Sequence, residues 1–232
     1  MPLQESGKPG TKLKIVVLIS GNGSNLQALI DAAATPGCAF DIAAVISNRD
    51  DAFGLHRAQR ADIPHHCIAH RAFPDRDAFD QAMIETIDRY QPGLIVLAGF
   101  MRILTPAFIR HYRDRMLNIH PSLLPKYRGL HTHQRALEAG DALHGMSIHF
   151  VTEELDSGPV VLQAELSIQP EDTPDGLAAR VQHLEHIYYP RVVDWYAAGR
   201  LRMAGNLAVF DGQPLEKPLY YRPAHEPLQN NG

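Results

Sequence analysis

Residues 14–25 read KIVVLISGNGSN, and this stretch decides the fold class. Lys14–Ile19 is a β-branched apolar run without polar alternation, the pattern of a parallel strand buried on both faces. It gives way at once to Ser20-Gly21-Asn22-Gly23-Ser24-Asn25. A helical pattern follows through Leu26, Leu29 and Ile30 and ends at Pro36-Gly37. A buried strand, a glycine-rich turn and a helix form the opening half of a βαβ unit.

The unit recurs down the chain. Ile42–Ser47 reads as a second strand, Phe53–Arg60 as a short helix and Pro64–Ile68 as a short third strand. Asp75–Tyr90 carries Phe79, Met83, Ile84 and Ile87 at helical spacing and stops at Gln91-Pro92-Gly93; Leu94–Ala98 is another buried strand. Strands alternating with helices predict right-handed crossovers and a parallel sheet. Beyond about residue 115 the rhythm changes. Met116–His120 is strand-like and runs into a proline-rich loop, and His144–Val151 and Val160–Ser167 are two further strand-like runs. Asp175–Tyr188 is helical, with Leu177, Val181, Leu184 and Tyr188 on one face, kinked or ended at Pro190. The expectation is one α/β domain over residues 13–212, after a flexible leader at 1–12 and before a polar, proline-rich tail at 213–232.

Composition narrows the function classes. The 232 residues carry a net charge of −4, with a mildly acidic balance that disfavours a broad grip on nucleic acid. No apolar run approaches the ~20 residues of a membrane helix, so no membrane partner is expected. The two cysteines, Cys38 and Cys67, form no CxxC pair and read as reduced thiols of a cytoplasmic protein. His65-His66-Cys67, His70 and His131-Thr132-His133 lack zinc-site spacing in a chain with 13 histidines, so no metal is expected.

Ligands of open α/β sheets bind beyond the carboxyl ends of the strands. That rule singles out the loops Ser20–Asn25, Gly99–Leu104, Asn118–Thr132 and Thr152–Pro159. In GNGSN the glycines allow close backbone approach, and Ser24 or Asn25 can cap the helix. Free amides at a helix start hold anions. Leu26 stands where a dinucleotide motif needs its third glycine, and no GK[ST] follows, so a small phosphate monoester fits better than NAD or ATP. A tight turn with no ligand is the plainer alternative. Asn118 and His120, two apart in a strand, share a face. An amide and an imidazole side by side suit a developing oxyanion, and the imidazole also carries protons near neutral pH. The carboxylate candidate to hold that ring is Asp156, in the turn-like segment ELDSGP. Each of the three, taken alone, also fits an ordinary strand end or turn.

The residues Ile19–Gln27 (ISGNGSNLQ), Ala98–Leu104 (AGFMRIL), Asn118–Pro125 (NIHPSLLP), Gly129–His133 (GLHTH) and Leu155–Pro159 (LDSGP) stand in the order found in the folate-dependent phosphoribosylglycinamide formyltransferases, and the chain resembles that family from about residue 13 to about 212. The resemblance implies a Rossmann-like, mostly parallel sheet flanked by helices, with an antiparallel C-terminal portion. It implies an enzyme, a one-carbon transferase of purine biosynthesis. Its substrates would be the small molecules 10-formyltetrahydrofolate and glycinamide ribonucleotide, and its state a monomer or homodimer. It also implies residue roles. Asn118, His120 and Asp156 would be catalytic. Gly23, Ser24, Asn25 and Glu185 would bind the ribonucleotide. Arg76, Met101, Arg102, Ile103, Leu104 and Asn118 would contact the folate, with the Val151–Asp156 loop lining the pterin pocket. Methionyl-tRNA formyltransferases share NIHPSLLP and LDSG, but they continue differently where this chain has GLHTH. They also add a C-terminal barrel. Formyltetrahydrofolate hydrolases normally carry an N-terminal regulatory domain. A non-catalytic phosphosugar-binding domain on the same fold is the alternative of another class.

Overall fold

The computed structural model describes residues 12–222. Strand β1 (Leu13–Ile19) is its axis: Ile15 to Ile19 have no solvent exposure, because β1 lies between two parallel neighbours and under helices on both faces. Burial on this scale stabilises by about 1.5–3 kcal/mol for each large aliphatic side chain. After β1 come α1 (Ser24–Ala33), β2 (Phe40–Ser47), α2 (Phe53–Arg60), β3 (His65–Cys67), α3 (Arg76–Asp88) and β4 (Leu94–Leu97). The chain continues with α4 (Pro106–His111), β5 (Met116–His120), α5 (Thr132–Glu138), β6 (Leu143–Phe150), β7 (Val160–Ser167) and α6 (Pro174–Ala197). It closes with β8 (Leu201–Ala204), β9 (Leu207–Phe210), β10 (Gln213–Pro214) and β11 (Leu219–Tyr221).

The main sheet has eight strands in the order β11-β7-β6-β5-β4-β1-β2-β3. From β3 to β5 all pairs are parallel; β6 runs antiparallel to β5, and β7 to β6. This is the mostly parallel sheet with an antiparallel C-terminal portion that the family resemblance implies. Winding reverses between β1 and β4, which makes their loops the switch point where such sheets open a crevice. Residues of α1, α2 and α6 share one core with one face of the sheet; α3 and α4 build a second core on the other. The α3–α4 core reaches β5 only at Met116, so residues 118 and 120, on that same face, lie beyond it.

Three features differ from expectation. Helix α6 runs through the buried Pro190 to Ala197. The ring costs the helix a hydrogen bond, about 3 kcal/mol or more. Packing on both sides offsets it: Val192 and Val193 are fully buried, and the Tyr189 hydroxyl donates to the carbonyls of Leu97 (2.8 Å) and Leu117 (3.0 Å). Helices α4 and α5, six and seven residues long, are too short to show a period, although Thr105 and Pro106 form an N-cap and first-turn signal. Ordered strands also extend past residue 212. β10 joins a small antiparallel sheet with β8 and β9, and β11 extends the main sheet alongside β7. Most of the expected leader and the last ten residues of the tail lie outside the described residues.

Candidate active site

Strand β5 presents Asn118 and His120 on one face. The antiparallel register sets His149 opposite Asn118 and Ser147 opposite His120, so four polar side chains form a patch on two neighbouring strands. The Ser147 hydroxyl donates to the Ser122 carbonyl (2.7 Å) and accepts from the Leu124 amide (2.9 Å), which ties the proline-rich loop to the sheet. Gln163, next across on β7, holds the same hydroxyl at 2.9 Å and the Leu124 carbonyl at 2.8 Å.

Asp156 reaches this patch from the loop between β6 and β7. It sits at φ +49°, a left-handed conformation that aspartate tolerates. Gly158 lets the loop return against β6, since any side chain there would run into the Phe150 carbonyl. One carboxylate oxygen accepts the Gly129 amide at 2.9 Å and lies 3.5 Å from His120 Nδ1; the other lies 3.7 Å from His149 Nε2. The His120 and Asp156 side chains are each 7% exposed, so their attraction is weakly screened. His120 Nε2 lies 2.9 Å from the Tyr127 carbonyl. With an acceptor facing each ring nitrogen, the geometry suits an imidazolium that donates from both.

His149 is held differently. Its Nδ1–H donates to the Phe150 carbonyl (2.9 Å), which leaves Nε2 to accept from the Asn118 amide nitrogen (3.1 Å). Burial pushes its pKa down to about 4, against the pull of Asp156. Asp156 therefore stands between a buried neutral imidazole and one suited to charge.

The GNGSN loop follows β1 at the switch point. Gly23 takes φ +74° and caps α1 without a side-chain bond, so neither Ser24 nor Asn25 is the cap that the sequence suggests. The first helical bond runs from the Gln27 amide to the Gly23 carbonyl, leaving the amides of residues 24–26 ahead of the helical ladder. A Cβ on Gly23 would sit 2.7 Å from Gly54 Cα, so the close packing of α2 against the loop requires glycine. Arg57 on α2 holds Asn22 at both its carbonyl and its side-chain oxygen, at 2.9 Å each. A cavity of about 400 Å³ opens beside Ser24, Gln27, Arg57 and His186.

Asn25 points inward instead. Its amide nitrogen donates to Glu185 at 2.7 Å, while its own oxygen is buried without a partner. Burial raises the Glu185 carboxyl to about 7, opposed by the Asn25 hydrogen bond. A raised acid favours folding while protonated, so this stability is present below pH ~4.3 and fades as pH rises through about 7. Glu185→Gln keeps an acceptor for Asn25 and cannot ionise. Its melting temperature is expected to match the parent near pH 4.5 and exceed it progressively up to pH 8. A difference independent of pH in scanning calorimetry would refute this.

The other expected contacts lie on the same edge of the sheet. Ser20 Oγ donates to Asn48 (2.6 Å) and accepts the Met101 amide (2.7 Å), joining the glycine loop to the segment after β4. Met101 and Ile103 are 68% and 58% exposed, Arg102 is half-buried and Leu104 is buried. Asp80 on α3 accepts the Thr105 amide at 2.6 Å, so the helix that begins at the exposed Arg76 also anchors the end of this segment. His149 and Arg57 escape sequence reasoning, while Ser20 and Tyr127 lie in loops that it singles out without giving them roles; the trace of His149 is polar Ser147 and His149 alternating through an otherwise apolar strand. Among the described residues no group of three His, Cys, Asp or Glu side chains is placed to hold a metal ion, and no helix is long and apolar enough to cross a membrane.

Known proteins carry the same pattern. The chain is 58% identical over 203 residues to the phosphoribosylglycinamide formyltransferase of Escherichia coli (strain K12), covering 88% of this chain and 96% of that one. It is 49% identical over 207 residues to the enzyme of the same name from Haemophilus influenzae, covering 89% and 98%. The solved phosphoribosylglycinamide formyltransferase of Coxiella burnetii superposes with a TM-score of 0.87 at 59% identity, over 90% of this chain and 99% of that one. A glycinamide ribonucleotide transformylase from Symbiobacterium toebii follows at 0.84 and 40%, over 87% and 95%. The sequence profile of the formyl transferase family matches residues 13–193, and with these matches and this fold the chain belongs to that family.

Proposed function

We propose that the chain transfers the formyl group of 10-formyltetrahydrofolate to the amine of N1-(5-phospho-D-ribosyl)glycinamide, in purine biosynthesis. The observation that carries the reading is the meeting of Asp156 with His120, 3.5 Å apart beside Asn118, 36 positions apart in the chain. The family membership and its high-identity formyltransferases support the chemistry.

The amine lone pair attacks the formyl carbon, a C–N bond forms, and the carbonyl electrons move to oxygen. Asn118 and the His120 imidazolium donate hydrogen bonds to that oxyanion. His120 does so by exchanging its Tyr127 carbonyl partner for the substrate. Asp156 favours the charged imidazole and holds the ring. The proton lost by the amine passes to N10 of the folate through water that Asp156 organises, the C–N10 bond breaks with its electrons going to N10, and tetrahydrofolate leaves. No residue is acylated, and no metal is needed because the imidazolium supplies the positive charge. The amides of Gly23, Ser24 and Asn25 hold the ribose phosphate, and Glu185 faces the glycinamide end. Arg76 and the Met101–Leu104 segment receive the folate, with exposed Met101 and Ile103 covering its apolar part.

The deciding assay follows the absorbance change as 10-formyl-5,8-dideazafolate loses its formyl group. Turnover is expected only when glycinamide ribonucleotide is present. Turnover with water alone would instead make the chain a hydrolase, and none with either would leave a binding module. Ser24→Ala and Asn25→Ala are expected to raise KM for the ribonucleotide more than for the folate; equal rises would remove the phosphate assignment.

A further inference from the structure

The formyl-transfer reading uses Asn118 as an oxyanion donor, which requires its amide nitrogen, not its oxygen, to face the reacting carbonyl. An asparagine side chain is nearly symmetric in shape, so something must choose between the two orientations. Every group around this amide bears on the choice. On its own strand, His120 sits two residues on. On β6, His149 lies directly opposite. From the loop above, Asp156 brings a carboxylate 3.7 Å from His149 Nε2.

We propose that His149 is a positioning residue: its Nε2 accepts one proton of the Asn118 amide and fixes that nitrogen at the site, leaving the second amide proton to donate to the oxyanion. This rests on the formyl-transfer reading and deepens it. The Phe150 carbonyl makes the assignment one-way. A carbonyl only accepts, so Nδ1 must carry the ring proton and Nε2 must be bare. The imidazole is 2% exposed, so no water competes for Nε2. A protonated His149 would turn Nε2 into a donor aimed at Asp156, reversing the amide and drawing the carboxylate from His120. Full burial in the sheet keeps the ring neutral and the charge of Asp156 available to His120.

The test compares His149→Gln with His149→Asn, alone and in an Asn118→Ala background, with melting temperatures as a folding control. Glutamine carries its oxygen to about the position of Nε2; asparagine reaches only the region of Nδ1. His149→Asn is expected to lower kcat by about 10- to 100-fold, a share of the ~10²–10³ that one oxyanion donor is worth. Both KM values should change by less than about threefold, since the loss is confined to the transition state. His149→Gln should recover most of kcat. In the Asn118→Ala background neither substitution should cost more than about twofold, because coupled residues are not additive. Equal loss for Gln and Asn, a loss expressed in KM, or full additivity with Asn118→Ala would each overturn the inference. If Asn118→Ala itself keeps parental kcat, the oxyanion assignment falls, and the two failures are thereby told apart.

Discussion

Asp156→Asn is expected to lower kcat by about 10²–10⁴-fold at saturating substrates, the range of a group that supports proton transfer in the transition state. The loss should be chemical and not structural. Asparagine tolerates the left-handed backbone at φ +49°, and its oxygen can still accept the Gly129 amide. What disappears is the negative charge 3.5 Å from His120 Nδ1, and with it the preference for imidazolium at a site shielded from water. A variant with parental kcat would remove Asp156 from the mechanism.

His120→Ala is expected to cost about 10²–10³ in kcat, because on the proposed mechanism it removes an oxyanion donor. It should also destabilise the fold by roughly 1–3 kcal/mol, because a buried carboxylate loses a partner. Combined with Asp156→Asn, the loss in kcat should be far less than the product of the two, as for residues that act as one unit. Steady-state rates for the two single variants and the double variant decide this; multiplicative losses would mean that His120 and Asp156 act separately.

The fold was largely legible because its signals are local. A β-branched run such as Lys14–Ile19 has few alternatives to a strand buried on both faces, and Asp75–Tyr90 declares its helix by Phe79, Met83, Ile84 and Ile87 at helical spacing. Where sequence reasoning fell short, the deciding interaction was distant. Pro190 marks a break by local rules, yet α6 continues because Tyr189 is bolted to two strands. The strands after 212 look like tail because they are short and depend on pairing with β7 and β9. Asn25 looks like a helix cap, but Glu185, 160 positions away, takes its amide inward.

By itself the sequence determined the class of fold, the edge of the sheet where chemistry belongs, and that Asn118 and His120 share a face. These follow from the alternation of a strand and the short-range geometry of turns. Only the tertiary structure brought Asp156 to His120, set His149 behind Asn118 and turned the Tyr127 carbonyl onto the same imidazole. Those contacts depend on strand register and on the return path of a loop permitted by Gly158. Register is fixed by packing the whole sheet and not by any one segment, so it stays hidden until the chain is folded.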